Sequence, residues 1–223
     1  MSGAAAGSGD LAVFDLDGTI TRADTLAPFV LGYLWRTPRR LAGLLRALPA
    51  AARFVFDRDR GAFKGALIHA TLGGLTRAQL GHWSGRFVAR LLQHGVYHQA
   101  LQAIDAHRLR GDRLVLMSAS TDLYVPLIAQ ALGFHEVICT QVRWNGDGRL
   151  DGHLASANCR DIEKRRQLLA LIERLAPRKV YTYGNSSADL PHMQLAQEAI
   201  LVNGPSCLRR DHAANLQRVR WRR

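Results

Sequence analysis

Residues 11–20, LAVFDLDGTI, constrain the fold of this chain more than any other stretch. The first four are apolar and predict a short buried strand, which Gly18 punctuates. Asp15 and Asp17 follow it directly, and alternation along an extended chain points both side chains in nominally the same direction. Two carboxylates this close repel each other unless a cation or a proton lies between them. Mg²⁺, a hard cation that takes one or two carboxylates plus phosphate oxygens, is the natural partner, and the alternative is a merely polar strand end.

Composition favours a packed globular protein with anionic partners. The chain has 223 residues, enough for one domain of moderate size or for a core with an inserted cap. Hydrophobic residues make up 48% and charged residues 22%, which is typical of a folded core rather than of disorder. The net charge of +12 suits phosphorylated substrates, nucleic acid or an acidic membrane surface, without choosing among them.

Cysteine usage and the chain start favour a cytoplasmic protein. Cys139, Cys159 and Cys207 are widely spaced and form no Cys-x-x-Cys motif, so neither a disulfide framework nor a zinc knuckle is indicated. Residues 1–10 lack the basic start and apolar centre of a signal peptide and predict a flexible tail. No apolar run reaches the length of about 18–20 residues that spans a bilayer.

The order of predicted elements indicates an α/β sheet with one helical insertion. Residues 25–96 have helical patterning throughout, with Pro38 near the start of a second helix and Pro49 ending or kinking it. Strands then alternate with helices, which predicts a parallel sheet. Predicted strands cover residues 114–117, 137–140, 180–183 and 200–202, and predicted helices cover residues 98–109, 122–132, 161–175 and 189–197.

Residues 141–154, QVRWNGDGRLDGHL, predict a β-hairpin around a turn rich in Asn and Gly. Asn145, Asp147 and Asp151 could be taken for the oxygen ligands of a calcium loop. An EF-hand loop needs a glutamate at its twelfth position, where this chain has Ser156. The hairpin is therefore the preferred interpretation.

The string FDLDGT closely resembles the first motif of the haloacid dehalogenase (HAD) superfamily of phosphohydrolases. The resemblance implies a Rossmann-like α/β core of parallel strands (residues 11–24 and 97–223) with an inserted helical cap of the C1 type (residues 25–96), as in the subgroup that includes phosphoserine phosphatase. Three further motifs occur in the family's order. These are VLMSAS with Ser118, DIEKRRQ with Lys164, and GNSSADLP with Asn185 and Asp189.

The resemblance also implies a role for each matched residue. Asp15 would be the nucleophile and Asp17 the general acid and base, while Lys164 would offset charge in the transition state. A phosphate-binding set and a Mg²⁺ set complete the expected site. The phosphate set is Ser118, Ala119, Gly18 and Thr19, and the Mg²⁺ set is Asp15, Asp17 through its backbone carbonyl, Asp189 and Asn185.

Two of the expected site residues have open roles. The commonest family motif has aspartate where this chain has Asn185, whose amide oxygen can bind Mg²⁺ or a metal-bound water but brings no negative charge. Asp24 could help to bind substrate or shape the entrance, as an acidic residue does in the phosphoserine phosphatase-like group. A helix N-cap explains Asp24 equally well.

The predicted cap carries the information on substrate. Basic residues alternate there with Leu, Phe, Trp and Tyr, a pattern of helices that can lie on anionic membranes. The run of residues 23–49 also resembles the cap of phosphatidylglycerophosphatase C and similar HAD hydrolases. The expected substrate is a small-molecule phosphate ester, either a phosphorylated metabolite or a lipid phosphate, and helices that bury their apolar faces on each other are the simpler interpretation.

Two other classes of function remain open at this point. The arginine-rich end, residues 208–223, and the net charge would suit nucleic acid, although no helix-turn-helix, RRM or zinc signature accompanies them, and a basic tail is preferred. A non-catalytic HAD-like module that binds a partner is the other alternative. Asp15, Asp17, Lys164 and Asp189 are all present and argue against it. The sequence leaves the oligomeric state undetermined.

Overall fold

The computed structural model describes residues 9–208 and 215–222. The first five α-helices after the first strand form the helical insertion: α1 (Leu26–Arg36), α2 (Ala42–Arg46), α3 (Leu48–Asp57), α4 (Arg60–Leu72) and α5 (Arg77–His94). Four more follow: α6 (His98–Leu109), α7 (Val125–Ala131), α8 (Ile162–Leu175) and α9 (Leu190–Met193). The strands are β1 (Leu11–Phe14), β2 (Arg113–Thr121), β3 (Glu136–Thr140), β4 (Val142–Trp144), β5 (Leu150–Leu154), β6 (Val180–Gly184), β7 (Glu198–Val202) and β8 (Leu216–Val219).

Six of the strands form one parallel sheet in the order β3-β2-β1-β6-β7-β8. β1 lies inside it, paired with β2 on one side and with β6 on the other, and its four residues are fully buried. A strand covered on both faces needs apolar residues at every position, which explains why LAVF shows no alternation. The predicted Rossmann-like α/β fold is confirmed, and the carboxyl end of β1 lies between the ends of its two neighbours.

The helical insertion confirms the expected effect of Pro49. α2 ends at Arg46 and α3 begins at Leu48, so that Pro49 lies in the first turn, where its missing N–H costs nothing. The helix expected after Pro38 is shorter than its sequence pattern, because a 3₁₀ turn at Pro38–Arg40 precedes it. A 3₁₀ turn and the five-residue α2 therefore stand where one helix was predicted, and the following α3 has no buried residue.

The predicted end of β2 at Ser118 is wrong. The strand continues to Thr121, which pairs with Thr140 of β3 after a shift of register that begins at Ser118. The backbone N–H of Ser120 donates to Ser118 Oγ (3.0 Å), so a side chain satisfies this amide where the ladder is irregular. The following helix begins only at Val125, and no helix N-terminus directly follows Ser118.

The basic chain end is not a tail where the structure describes it. β8 adds an edge strand parallel to β7, with Leu216 buried and Arg218 exposed. Charged residues on an edge strand discourage pairing with other chains. An edge strand with apolar residues facing inwards and arginines facing solvent therefore fits this position, although it was not predicted from the sequence. Trp221 packs on Tyr97 (ring centroids 6.0 Å apart). Residues 209–214 and 223 lie outside the described residues.

Further sequence predictions can be checked against the described residues. β4 and β5 form the expected antiparallel hairpin, and all three cysteines are free thiols. Residues 1–8 of the expected tail lie outside the described residues, while the Asp10 carboxylate is buried and accepts a hydrogen bond from Arg178 (2.9 Å). Among the described helices, none combines the length and apolar character needed to cross a membrane.

Candidate active site

A cavity of about 400 Å³ opens where the carboxyl ends of β1, β2 and β6 face the helical insertion. The core contributes polar residues to its wall: Asp15, Asp17, Ser120, Lys164, Asn185 and Asp189. The insertion contributes mainly apolar ones, Leu26, Ala27, Phe54, Phe63 and Leu67, together with the basic Arg60 and Lys64. Open α/β sheets bind ligands at this end of their strands, so the cavity is the candidate site.

The turn after β1 requires glycine at position 18. The backbone there has φ = +77°, which favours glycine. A Cβ at Gly18 would also lie 2.0 Å from Asn185 Nδ2. The turn and the loop after β6 therefore touch through a residue without a side chain, which brings Asp15 and Asp17 next to Asn185 and Asp189.

Lys164 joins the two central carboxylates. Its Nζ donates to Asp15 Oδ1 (2.6 Å) and to Asp189 Oδ1 (2.7 Å), and all three residues are at most 6% exposed. Burial alone would lower the pKa of Lys164, but the two carboxylates raise it above its usual value. The ammonium group is thus permanently charged at neutral pH, as expected for a residue that offsets anionic charge.

The electrostatic surroundings differ between the two carboxylates. Burial raises the pKa of Asp15 above its ordinary value, and Lys164 offsets only part of that rise. Burial acts in the same direction on Asp189, but Lys164 together with hydrogen bonds from the loop after β6 lowers its pKa below the ordinary value. Asp189 is therefore the firmly ionised member of the pair. Thr19 Oγ1 holds the second oxygen of Asp15 (2.9 Å).

The loop after β6 orients Asp189. Its Oδ2 accepts from the backbone N–H of Asn185 (3.1 Å), from the backbone N–H of Ser186 (3.1 Å) and from Ser186 Oγ (2.9 Å). A Cβ at Gly184 would lie 2.6 Å from Asp189 Cβ, so glycine is needed for this close approach. The carboxylate is fixed through one oxygen, and the other faces Lys164.

Asp17 is held by hydroxyl groups from two sides. Oδ1 accepts from the backbone N–H (2.8 Å) and Oγ1 (2.6 Å) of Thr25, and Oδ2 accepts from Ser120 Oγ (2.6 Å). Tyr124 Oη lies 2.9 Å from Thr25 Oγ1 and extends the network. Burial raises the pKa of Asp17, and the bonds from Ser120 and Thr25 offset part of the rise. A raised pKa is what the predicted role of Asp17 as general acid and base requires.

The expected phosphate-binding residues occupy different positions. Ala119 lines the cavity, whereas Ser118 is fully buried behind it and Ser120 presents its hydroxyl instead. Gly18 and Thr19 are not part of the cavity wall. Thr19 donates a hydrogen bond to Asp15, and Gly18 packs against the Asn185 amide.

Asp24 caps α1 and also lies in the cavity wall. Its Oδ1 accepts from the backbone N–H groups of Leu26 (3.0 Å) and Ala27 (3.2 Å), so it caps α1. The same residue lines the cavity mouth. The N-cap role is thus observed, and contact with substrate stays a prediction.

Lys64 was missed by sequence reasoning as a site residue. Its Nζ extends from α4 into the cavity and donates to the carbonyl oxygen of Ala119 and to Asn158 Oδ1 (2.7 Å). Burial lowers the pKa of Lys64 to about 8. The sequence contains no signal for this contact, because Lys64 is one of many basic residues in the insertion and its partners are 55 and 94 positions away.

The donor set fits a hard divalent cation. Asp15 and Asp189 contribute ionisable oxygens, and Gly18 brings the Asn185 amide against the same turn. Oxygen donors of this kind, with few protein carboxylates and room for phosphate, are what Mg²⁺ prefers. Within the wall of this cavity no histidine or cysteine side chain takes part, which argues against a thiolate- or imidazole-selective ion there.

Comparison with known proteins identifies the family. A family model for haloacid dehalogenase-like hydrolases matches residues 12–194. Protein CicA from Caulobacter vibrioides is 35% identical over 191 residues, which cover 84% of this chain and 83% of CicA. A histidinol-phosphatase from Neisseria meningitidis is 24% identical over 209 residues, covering 87% of this chain and 90% of that protein.

A solved structure shows the same fold over most of the chain. A Bordetella pertussis protein of unknown function superimposes with a TM-score of 0.80 at 22% identity, covering 95% of this chain and 98% of that one. The family model spans the segments that carry Asp15, Lys164 and Asp189. The chain therefore belongs to the haloacid dehalogenase-like hydrolases, and it is a phosphohydrolase of that type.

Proposed function

We propose that this protein is a Mg²⁺-dependent phosphatase that hydrolyses a phosphate monoester through an aspartyl-phosphate at Asp15. The observation that carries the proposal is the buried arrangement in which Lys164 Nζ bonds both Asp15 and Asp189 at the cavity floor. Phosphoryl transfer depends chiefly on positioning and charge neutralisation, and this arrangement supplies both.

The first step transfers the phosphoryl group to the protein. The Asp15 carboxylate attacks phosphorus, the new bond joins its oxygen to phosphorus, and the bond to the leaving oxygen breaks. Asp17 gives its proton to that oxygen. Thr25 and Ser120 keep the Asp17 carboxyl group oriented while Lys164 stabilises the charge that gathers on the phosphoryl oxygens.

The second step returns the enzyme to its starting state. Asp17 takes a proton from water, the water oxygen attacks phosphorus, and the bond between phosphorus and Asp15 breaks. Asp15, Asp189, the Asn185 amide and the Asp17 carbonyl would hold Mg²⁺, which when bound supplies positive charge for the phosphoryl oxygens. The backbone N–H of Ala119, a residue of the cavity wall, is proposed to donate to the phosphate, with Ser118 supporting this segment from behind the wall, and Asp24 is proposed to contact the substrate at the mouth.

The helical insertion is proposed to act as the cap that selects the substrate. Leu26, Phe54, Phe63 and Leu67 give the cavity an apolar wall opposite the polar floor, and Arg60 and Lys64 of α4 add positive charge to it. A monoester whose leaving group carries an apolar part matches this wall. Both a phosphorylated metabolite and a lipid phosphate meet that description, and the histidinol-phosphatase relative is an example of a protein named for the former.

Peripheral contact with an anionic membrane is part of the proposal. Seven large apolar side chains on or between α1 and α3 are exposed, and arginines are interspersed among them; we call these residues the α1–α3 surface. The apolar members are Leu31, Trp35, Leu41, Leu45, Leu48, Val55 and Phe56, and the exposed arginines are Arg36, Arg39, Arg46, Arg53 and Arg58. Apolar insertion together with attraction to anionic lipid is how amphipathic helices bind a bilayer surface.

Vesicle co-sedimentation tests the membrane contact. The protein should sediment with vesicles that contain phosphatidylglycerol and remain in solution with phosphatidylcholine alone. The double variant Trp35→Ser, Phe56→Ser should lose binding, since both side chains are more than 80% exposed. Leu109→Ser, equally exposed on α6, is the matched control and should bind like the wild type. Equal loss in the control, or no binding by the wild type, would remove this part of the proposal.

Substitution of Asp15 tests the phosphatase activity itself. Asp15→Asn removes the nucleophile and should lower turnover of p-nitrophenyl phosphate by about 10³-fold or more. Asp147→Asn changes an exposed hairpin acid in the same way and should leave turnover unchanged. Retained activity in Asp15→Asn would contradict the assignment, and inactivity of the wild type over a broad panel of phosphate monoesters with Mg²⁺ would favour a non-catalytic binding module.

A further inference from the structure

A second group of ligand-type side chains lies outside the active-site cavity, where α4 packs against β5. It consists of His69 on α4 with Asp151 and His153 on β5. One potential ligand atom from each residue lies within 4.8 Å of the corresponding atoms of the other two. The sequence shows no ligand spacing for these residues, because His69 is 82 positions away from Asp151 and only the fold brings them together.

The backbone fixes this convergence. Gly152 has φ = +94°, and a Cβ there would lie 2.6 Å from the backbone nitrogen of His69. β5 therefore runs directly against α4 at the level of the histidine. Asp151 and His153 flank that glycine on the strand. The placement of the three side chains is thus set by main-chain contact between two elements rather than by loops.

The atoms that face one another are the Nδ1 nitrogens of both imidazoles and one carboxylate oxygen. Asp151 Oδ1 lies 3.3 Å from His69 Nδ1 and 3.0 Å from His153 Nδ1, and the carbonyl oxygen of Asp151 lies 2.7 Å from His69 Nδ1. An ion bound among these atoms would take each ring as the neutral tautomer that carries its proton on Nε2. The two ring centroids are 4.4 Å apart, so the imidazoles act side by side.

The charge around the group determines which ion it would prefer. Arg143 pairs with Asp151 Oδ2, so the single carboxylate is largely neutralised. Arg39, Arg40 and Arg46 line a neighbouring pocket together with both histidines. A hard cation that depends on negative charge would gain little here, whereas ions that bond strongly to imidazole nitrogen depend less on it.

We propose that His69, Asp151 and His153 form a binding site for a divalent transition-metal ion of the Zn²⁺ class, separate from the catalytic site. The bound ion would tie α4 of the helical insertion to the β4–β5 hairpin. Both histidines are about half exposed, which leaves room for water to complete the coordination. Because α4 also carries Lys64, the ion would fix the element that extends this amine into the active-site cavity.

Calorimetric titration of the full chain with Zn²⁺ in excess Mg²⁺ tests the site. The Mg²⁺ occupies oxygen ligands elsewhere, and we expect one Zn²⁺ per chain with a dissociation constant in the micromolar range or tighter. His69→Gln and His153→Gln should each weaken binding by about tenfold or more. His82→Gln alters an exposed histidine on α5 and should leave the affinity unchanged.

Thermal unfolding with and without Zn²⁺ is the second measurement. An ion that binds only the folded state raises the midpoint of the wild type and of His82→Gln, but not that of the other two variants. Their midpoints without Zn²⁺ should match the wild type, since the substituted rings are exposed. Zn²⁺ binding that survives both substitutions, or its absence in the wild type at micromolar concentrations, would overturn the proposal.

Discussion

The floor of the active-site cavity and the α1–α3 surface opposite differ in almost every physical respect. On the floor, Asp15, Lys164 and Asp189 are at most 6% exposed and bonded to one another. Across the cavity, α3 has no buried residue, and Phe56 is 88% exposed. Several hydrogen bonds fix each residue of the floor, whereas the surface presents exposed apolar side chains. We infer that the floor determines the reaction and the insertion determines what is brought to it.

Among the substitutions that compare the two regions, that of Lys164 on the cavity floor should have the largest combined effect on turnover and stability. Lys164→Met leaves two buried carboxylates facing each other without their shared cation, so turnover should fall by about 10²–10³-fold. The free energy of unfolding should fall by about 3–5 kcal/mol, because an uncompensated buried charge remains. Single-turnover kinetics and urea unfolding measure the two effects.

The neighbouring Arg166→Met serves as the control for Lys164→Met. Arg166 is exposed and pairs with Glu163 at the surface of the same helix. Both turnover and stability should match the wild type in this variant. Wild-type turnover in Lys164→Met would show that the bonded triad has no part in the reaction.

Substitution of two phenylalanines, Phe14 on β1 and Phe56 on α3, compares the packing of the core with that of the α1–α3 surface. Phe14 is fully buried on β1 and stacks on Tyr183 (centroids 4.1 Å apart), so Phe14→Ala should lower the free energy of unfolding by about 3–5 kcal/mol. Phe56→Ala on α3 should change it by no more than about 0.5 kcal/mol. Similar losses from both, measured by urea unfolding, would mean that the α1–α3 surface is covered in the native state.

Lys64 sharpens the comparison because it belongs to the insertion but ends in the cavity. Burial lowers its pKa to about 8, so the amine is charged below that pH and neutral above it. The KM for a phosphate monoester should therefore rise about tenfold between pH 7 and pH 9, while kcat stays nearly constant. At pH 7 the KM of Lys64→Met should be about tenfold higher than that of the wild type. Between pH 7 and pH 9 it should not show the further rise that loss of the Lys64 charge causes in the wild type.

Lys179→Met, at a half-buried pair with Glu198 outside the cavity wall, is the control for Lys64→Met and should follow the wild-type pH profile. A fall in kcat rather than a rise in KM would show that Lys64 acts in the chemical step. The direction of the pH effect is equally decisive, since tighter binding above pH 8 would contradict a role in holding the substrate anion.

The central residues of the candidate active site were largely predictable from sequence because they lie at the ends of strongly patterned elements. The apolar run before Asp15 predicts β1, and helical spacing bounded by Gly111 predicts α6 at its observed residues. Lys164 follows the predicted helix start and Asp189 follows the predicted strand. In each case local sequence determines the element, and the parallel sheet then collects the strand ends in one place.

The remaining features depend on contacts between distant segments. Lys64, Thr25 and Ser120 belong to the site through contacts between distant segments, which only the folded structure shows. β2 continues past Ser118 because tertiary pairing with β3 resumes at Thr121, against a local pattern that ends the strand earlier. β8 was missed because its buried Leu216 lies among charged residues that otherwise resemble a solvated tail.

Chemical trapping of the covalent intermediate tests the central claim most directly. Asp17→Asn lacks the base for the second step, and p-nitrophenolate leaves without needing the acid for the first, so the variant should accumulate phosphorylated Asp15. Borohydride reduction of the quenched reaction would convert that acyl phosphate to homoserine, which peptide mass spectrometry locates. The account predicts one burst of p-nitrophenol per chain and homoserine at position 15. A burst without that modification, or with the modification at another carboxylate, would contradict it.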